Sequence, residues 1–256
     1  MQIQINGPRI YFEIPLGDKL SIPITDTVIS SCLVTAVLCI LCVVLGRGLT
    51  KRPGKRQVIV EKIVTMLYDL VGDTMGRHNL KFAPYIGALF MSSIFGTLIS
   101  TTGVFRSSTA DLSTTATWAI MTTVIVWASG IRENGFLGWL KGFTEPVVVM
   151  TPMNLISEIA SPVSMAFRHF GNVVGGSVLT TLIYFALAGV SSMVLGWIPN
   201  AFIASIPIFQ VGIPAVLSLY FDFFSGAIQA LVFCMLSMVY IGAANPPHEE
   251  KITESK

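Results

Sequence analysis

Arg168 stands in the run Ser164-Met165-Ala166-Phe167-Arg168-His169-Phe170-Gly171-Asn172, and no further formal charge occurs until Asp222. An arginine held in the middle of a bilayer costs about 2.5–3.5 kcal/mol on insertion scales. It cannot shed that cost by losing its proton, because its pKa lies above about 12. A permanent cation in such surroundings calls for an anion, and the anion is expected from a partner. Asp222 is the only acid between Glu158 and Glu249, and Gln229 lies seven residues on, at the same face of a helix. Two readings stay open for Asp222. It could neutralise Arg168 in an internal ion pair, or it could belong with Arg168 to an ion path across the membrane.

The helix that would carry Arg168 has a distinctive stripe. Ser157, Ser161, Ser164, Arg168, Asn172 and Gly175 follow one another at spacings of 4, 3, 4, 4 and 3, which places them on one side. Small residues in lipid ordinarily mean close helix packing. That explains the serines and glycines and leaves the arginine unexplained.

The whole chain has the composition of a membrane protein. Of its 256 residues 53% are hydrophobic and 12% charged, about half the charged fraction of a soluble domain. The mean hydropathy is +0.73. Cys32, Cys39, Cys42 and Cys234 lie in apolar runs without metal or redox spacing, and read as reduced packing residues. The polar opening, with Arg9, Glu13, Asp18 and Lys19, does not read as a signal peptide. No phosphate-binding glycine loop, metal-ligand cluster or nucleophile–base pair is present, so neither a cofactor nor a metal is expected. The basic residues cluster beside membrane spans, and no nucleic-acid partner is expected.

These patterns predict an all-α polytopic membrane protein built as one membrane domain over residues 1–256. An outer segment covers 1–22, and spans are expected at 23–46, 82–105 and 112–131. Residues 57–77 interleave Ile59, Ile63, Met66 and Leu70 with Glu61, Lys62, Asp69 and Asp73, the pattern of an amphipathic helix lying on the membrane surface. Runs 152–188 and 204–242 are too long to stand upright in a hydrocarbon layer of about 30 Å. They are either broken, with Pro162, Gly171, Pro207 and Pro214 as candidate sites, or strongly inclined. Arg47, Lys51, Arg52, Lys55 and Arg56 follow the first span, and Arg132 and Lys141 the third. The positive-inside rule then puts the N-terminus outside and the tail 243–256 in the cytoplasm.

The run Phe167-Arg168-His169-Phe170-Gly171-Asn172, with Gly175-Gly176 after it, resembles the Arg-Leu-Phe-Gly-Asn segment of subunit a of F-type ATP synthase. Thr109-Ala110-Asp111-Leu112-Ser113-Thr114-Thr115 is similar to the family's Thr-Ala-Asp-hydrophobic-Asn-Thr-Thr stretch. Gly130-Ile131-Arg132-Glu133-Asn134-Gly135-Phe136, followed by Lys141-Gly142-Phe143, matches its cytoplasmic loop, and Ile228-Gln229-Ala230-Leu231-Val232-Phe233 its Gln-Ala signature. The resemblance covers about residue 20 to 244.

It implies a stator subunit of the membrane sector in a bacterial plasma membrane, with nucleotide chemistry left to other subunits. Its partners are a ring of proteolipid c subunits and the peripheral stalk b subunits. A long, strongly tilted two-helix hairpin would face the ring, and two offset half-channels would join it to either side. Arg168 takes the place of the arginine that attracts the ring carboxylate. Asn172 and Gln229 are polar groups near it, Asp222 belongs to the outer half-channel, and Asp111 lies on the ion pathway. Ser177 stands where some bacterial members carry an acid. Asn154 stands where many have Glu, with Glu158 one turn later as its substitute at the cytoplasmic exit. His169 replaces the usual Leu and reads as a packing variant.

Two rivals are weighed against this. A secondary cation transporter could use Arg168 and Asp222 as a gating pair, but the halves show none of the internal repetition common in such proteins. A purely structural membrane scaffold would have no use for an arginine on a small, polar seam.

Overall fold

The structure, a computed structural model, describes residues 10–15, 21–102, 105–144, 147–195, 216–217 and 220–247. Residues 248–256 of the expected tail 243–256, the stretch 204–215 with Pro207 and Pro214, and the side chain of Asp222 lie outside the described residues.

The chain is an all-α polytopic membrane protein with one small exception at its start. Strands β1 (Ile10–Pro15) and β2 (Ser21–Thr25) pair antiparallel, with Glu13 opposite Pro23 and a register irregularity between Ile10 and Phe12. The expected first span began at 23, but the extended backbone persists through Thr25. Ile22, Ile24 and Thr25 are β-branched and suit a strand. Asp26 then opens helix α1 (Asp26–Gly46), its acid favourably placed in the first turn.

Helix α2 (Lys55–Met75) ends at Gly76, whose φ of +84° and N–H bond to the Gly72 carbonyl turn the chain sharply out of the helix. A 3₁₀ turn over Arg77–Phe82 leads into α3 (Ala83–Leu98). The charge-free run 82–105 is thus not one helix. At Ile99–Thr102 it tightens into a second 3₁₀ turn, where Ser100 and Thr102 hydroxyls bond the carbonyls three residues back.

Helix α4 (Leu112–Gly142) is two helices joined at Gly135, which adopts φ +69° and ψ 164°. An L-residue there would be strained, so the glycine is what permits the kink. Helix α5 (Thr151–Leu195) is 45 residues long and continuous through Pro162 and Gly171, about 68 Å at ~1.5 Å per residue. Breakage is therefore not how this run is accommodated. The returning run behaves differently: a π-helical segment, Tyr220–Ser225, precedes α6 (Gly226–Ala244). Four helical segments, Asp26–Gly46, Leu112–Gly142, Val148–Val194 and Phe223–Ala244, are long and apolar enough to cross a bilayer.

Residues fall into two compact units. The first comprises Met1–Cys39, Met91–Thr115 and Ala166–Leu231. Its interior is rich in hydroxyls: Thr27, Ser30, Ser93, Thr97, Ser107, Ser108, Thr109 and Thr115 are all buried. Several are satisfied within the same stretch, as where Thr97 Oγ1 donates to the Ser93 carbonyl (2.9 Å) and Ser107 Oγ to that of Gly96 (2.9 Å). An apolar solvent offers such helices no hydrophobic drive to associate, so small side chains and hydrogen bonds take its place.

The second unit comprises Ile40–Phe90, Ala116–Met165 and Val232–Lys256. Val71, Met75, Ile86, Leu89, Phe233, Met238 and Ile241 form its apolar core. Tyr85 OH and Thr122 Oγ1 hydrogen-bond at 2.8 Å within it, tying α3 to α4. Asn79 Nδ2 donates to the Met75 and Asn245 carbonyls (2.9 and 3.0 Å), and His78 Nε2 meets the same Asn245 carbonyl at 2.8 Å. The end of α6 is pinned to the turn after α2.

Candidate functional site

In the first unit, α5 turns one face inward. Ala166, His169 and Gly176 are buried, while Phe167, Arg168, Gly171 and Asn172 are exposed. A Cβ added at Gly171 or Gly175 would meet nothing within 4 Å, so this chain leaves the face beside Arg168 open. Among the described residues Arg168 has no hydrogen-bond or ion-pair partner. An exposed guanidinium on a glycine-flanked face presents its planar donor fork outward, suited to a carboxylate.

Two of the sequence-predicted residues come together beside it. Asn172 Nδ2 donates to Gln229 Oε1 at 2.6 Å, linking α5 to the first turn of α6, and Gln229 is 4% exposed. Asp222 lies in the π-helical segment Tyr220–Ser225, a rare conformation found disproportionately at functional sites. Ser177 Oγ is exposed and donates to the Val174 carbonyl of its own helix (2.9 Å).

Asp111 has a structural task. Its Oδ1 accepts the Ser113 N–H (3.0 Å) and hydroxyl (2.7 Å), capping α4, and its Oδ2 accepts from Thr27 Oγ1 (2.7 Å) at the start of α1. Burial works to raise its carboxyl pKa, but the bonds from Ser113 and Thr27, with Arg106 nearby, outweigh it and hold the group below its ordinary value. A depressed folded-state pKa gives stability that is present above the unfolded value of about 3.9 and lost as pH falls through the folded value. Asp111→Ala should therefore cost about 0.5–2 kcal/mol near neutral pH, as for a lost cap. The gap from the parent should narrow on acidification below about pH 4. Thermal unfolding as a function of pH reads this directly, and a gap independent of pH would assign the loss to something other than the carboxylate.

The second unit holds the other pair. Asn154 Nδ2 donates to the Phe143 carbonyl (2.9 Å), and Trp127 Nε1 donates to Glu158 Oε1. Asn154 and Glu158 line a cleft of about 440 Å³ with Ser157, Trp139, Phe143, Gly130 and Ala244 among its walls. Pro162 lacks an N–H, so the Glu158 carbonyl has no helical donor and remains available to water. Trp127 and the buried Ser93–His169 contact were not anticipated from the sequence. The substitution of His for the usual Leu was the one available signal for the latter.

Taken together, four membrane-length helices with intramembrane polar groups define a multi-pass integral membrane protein. The family described as ATP synthase A chain matches residues 28–242. The chain is 34% identical to the sodium ion specific ATP synthase subunit a of Propionigenium modestum, over 93% of this chain and 84% of that protein. It is 33% identical to ATP synthase subunit a 1 of Crocosphaera subtropica over 87% of each, and 32% identical to ATP synthase subunit a of Legionella pneumophila strain Philadelphia 1 over 78% and 77%. The chain belongs to the ATP synthase subunit a family, the ion-translocating subunit of the membrane sector.

Proposed function

We propose that the open face of α5 bears against a ring of proteolipid c subunits, and that Arg168 attracts each ring carboxylate as it passes. The supporting observation is the outward, unpaired Arg168 among glycines that the rest of the chain leaves uncovered. Protonated, a ring carboxyl is neutral and can face lipid; ionised, it is too costly to expose and stays near the cation. Arg168 favours the ionised form. Its fixed charge also blocks a direct proton leak between the two half-channels. Asn172 and Gln229 border the cation. Asp222 serves the outer half-channel, with Ser177 as a minor polar contributor. Asn154 and Glu158 serve the cytoplasmic exit, where the cleft and the Glu158 carbonyl offer room for water. Asp111 anchors the start of α4 and contributes to the outer path only through that.

The basic loop after α1 and the basic end of α4 lie in the cytoplasm, the N-terminus outside, and α2 rests on the membrane surface with Ile59, Ile63 and Met66 exposed toward it. Helix α5 lies inclined in the bilayer together with the returning run, and the peripheral stalk b subunits dock on the same stator. Each charge carried through 100 mV supplies about 2.3 kcal/mol, and each pH unit about 1.4 kcal/mol. The Arg168–carboxylate attraction must stay within a few kcal/mol of these figures for the ring to keep turning.

Cysteine cross-linking in a background lacking the native cysteines tests the reading. A cysteine at Gly175 should cross-link to ring proteolipids and one at buried Ala166 should not; equal behaviour at both positions would reject the ring-facing assignment. Asp222→Asn should slow ion entry from the outer side in reconstituted vesicles, and unchanged flux would remove Asp222 from the path. Selection between H⁺ and Na⁺ resides in the ring carboxylate's ligands, so ATP hydrolysis with and without Na⁺ reads the ring.

A further inference from the structure

His169 is fully buried and shares a hydrogen bond of 3.1 Å with Ser93 Oγ, also fully buried, on α3. The Gln229 main chain lies beside its ring. Three contacts within one unit thereby join α3, α5 and α6 in pairs. Ser93–His169 joins α3 to α5, and Asn172–Gln229 joins α5 to α6. Gly226 brings α6 against α3 so closely that a Cβ there would stand 2.6 Å from Thr97 Cγ2. Successive helical residues differ by about 100° in direction. A rotation of α5 by one residue would therefore carry Arg168 from the open face toward the interior. Apolar packing opposes such a rotation collectively but supplies no directional bond of its own. A hydrogen bond from the residue adjacent to the arginine resists it directly.

We propose that His169 is a positioning residue for ion translocation: its bond to Ser93 fixes the rotation of α5 and so the outward presentation of Arg168. This rests on the reading of Arg168 given above. A leucine at the same place fills volume but supplies no directional pin. The bonded atom is Nε2, and a glutamine amide reaches about as far from the backbone as that nitrogen, whereas leucine offers no polar atom at all.

The test uses the assembled ATP synthase in vesicles, with ATP-driven ion pumping normalised to the amount of complex. His169→Leu and Ser93→Ala should each lower pumping about two- to tenfold, the range spanned by one ordinary net hydrogen bond. The double variant should be no worse than His169→Leu alone, because that substitution already removes the bond that Ser93→Ala removes. His169→Gln should restore most of the rate. Wild-type pumping by His169→Leu, additive losses in the double variant, or no rescue by His169→Gln in fully assembled complex would each overturn the proposal. A readout independent of coupling is maleimide labelling of a Gly171→Cys reporter. Its labelling rate should change when His169→Leu is added, and an unchanged rate overturns the pin. If Arg168→Ala retains coupling, it is the Arg168 reading that fails, while the reporter still tests His169 by itself.

Discussion

Replacing Arg168 with alanine should lower coupled ATP synthesis about a hundredfold while the complex still assembles. The cation lies on an exposed face of α5 and, among the described residues, bonds to nothing in this chain, so its removal breaks no internal hydrogen bond or ion pair there. What is lost is its attraction for the ring carboxylate. Without the guanidinium, the ionised carboxylate bears an uncompensated intramembrane cost of about 2.5–3.5 kcal/mol. Each 1.4 kcal/mol is about a factor of ten in rate. The carboxyl then stays neutralised, the ring no longer discriminates between the half-channels, and passive conduction of the coupling ion should rise as synthesis falls. Synthesis and passive conduction measured on the same vesicles would test both halves. Assembled complex that synthesises ATP at near-parental rate would end the assigned role. Arg168→Lys should also fail, since a desolvated lysine can lose its proton and has no planar fork.

The second large effect is expected from Gly226→Val, and it concerns assembly. The first α6 residue faces Thr97 so closely that even a Cβ would lie 2.6 Å from Cγ2 and 3.3 Å from Cβ of that threonine. Thr97 cannot swing away freely, because its hydroxyl donates to the Ser93 carbonyl at 2.9 Å. Overpacking of this kind typically costs about 1–3 kcal/mol, and the branched side chain adds rotamer restriction in the helix. The variant should lower the thermal midpoint of the solubilised protein and reduce the complex recovered from membranes. Gly175→Val is the matched control, because the space beside Gly175 is open on this chain. In the isolated protein it should leave stability close to the parent. Equal loss from both would show that helix propensity, not the α3–α6 approach, sets the penalty.

Much of the fold was legible in the chain because hydrocarbon is an exacting solvent. Every backbone group in it must be paired internally, so long charge-free runs such as 27–46 and 112–131 had to be helices. Arg168 declared itself because no ordinary packing role accommodates a permanent cation in such a run. The ribbon of β1 and β2 was not foreseen. Two short strands carry little periodicity, and a lone hairpin depends on its surroundings for stability. The kink at Gly135 and the unbroken course of α5 through Pro162 were equally out of reach. A proline or glycine marks where a helix could bend, while packing decides whether it does.

Side-chain partners separate the two kinds of knowledge most clearly. The sequence by itself determined the class, the membrane-length helices and the polar stripe carrying Arg168 and Asn172, because periodicity and charge cost are local properties of the chain. Only the tertiary structure decided that Asn172 meets Gln229 across 57 residues, that Ser93 meets His169 across 76, and that Asp111 is a helix cap tied to Thr27. Hydrogen bonds need atoms within about 3 Å at suitable angles, and that is fixed by how helices rotate and cross. Many rotations satisfy the same pattern of apolar and polar residues, and the folded packing selects one.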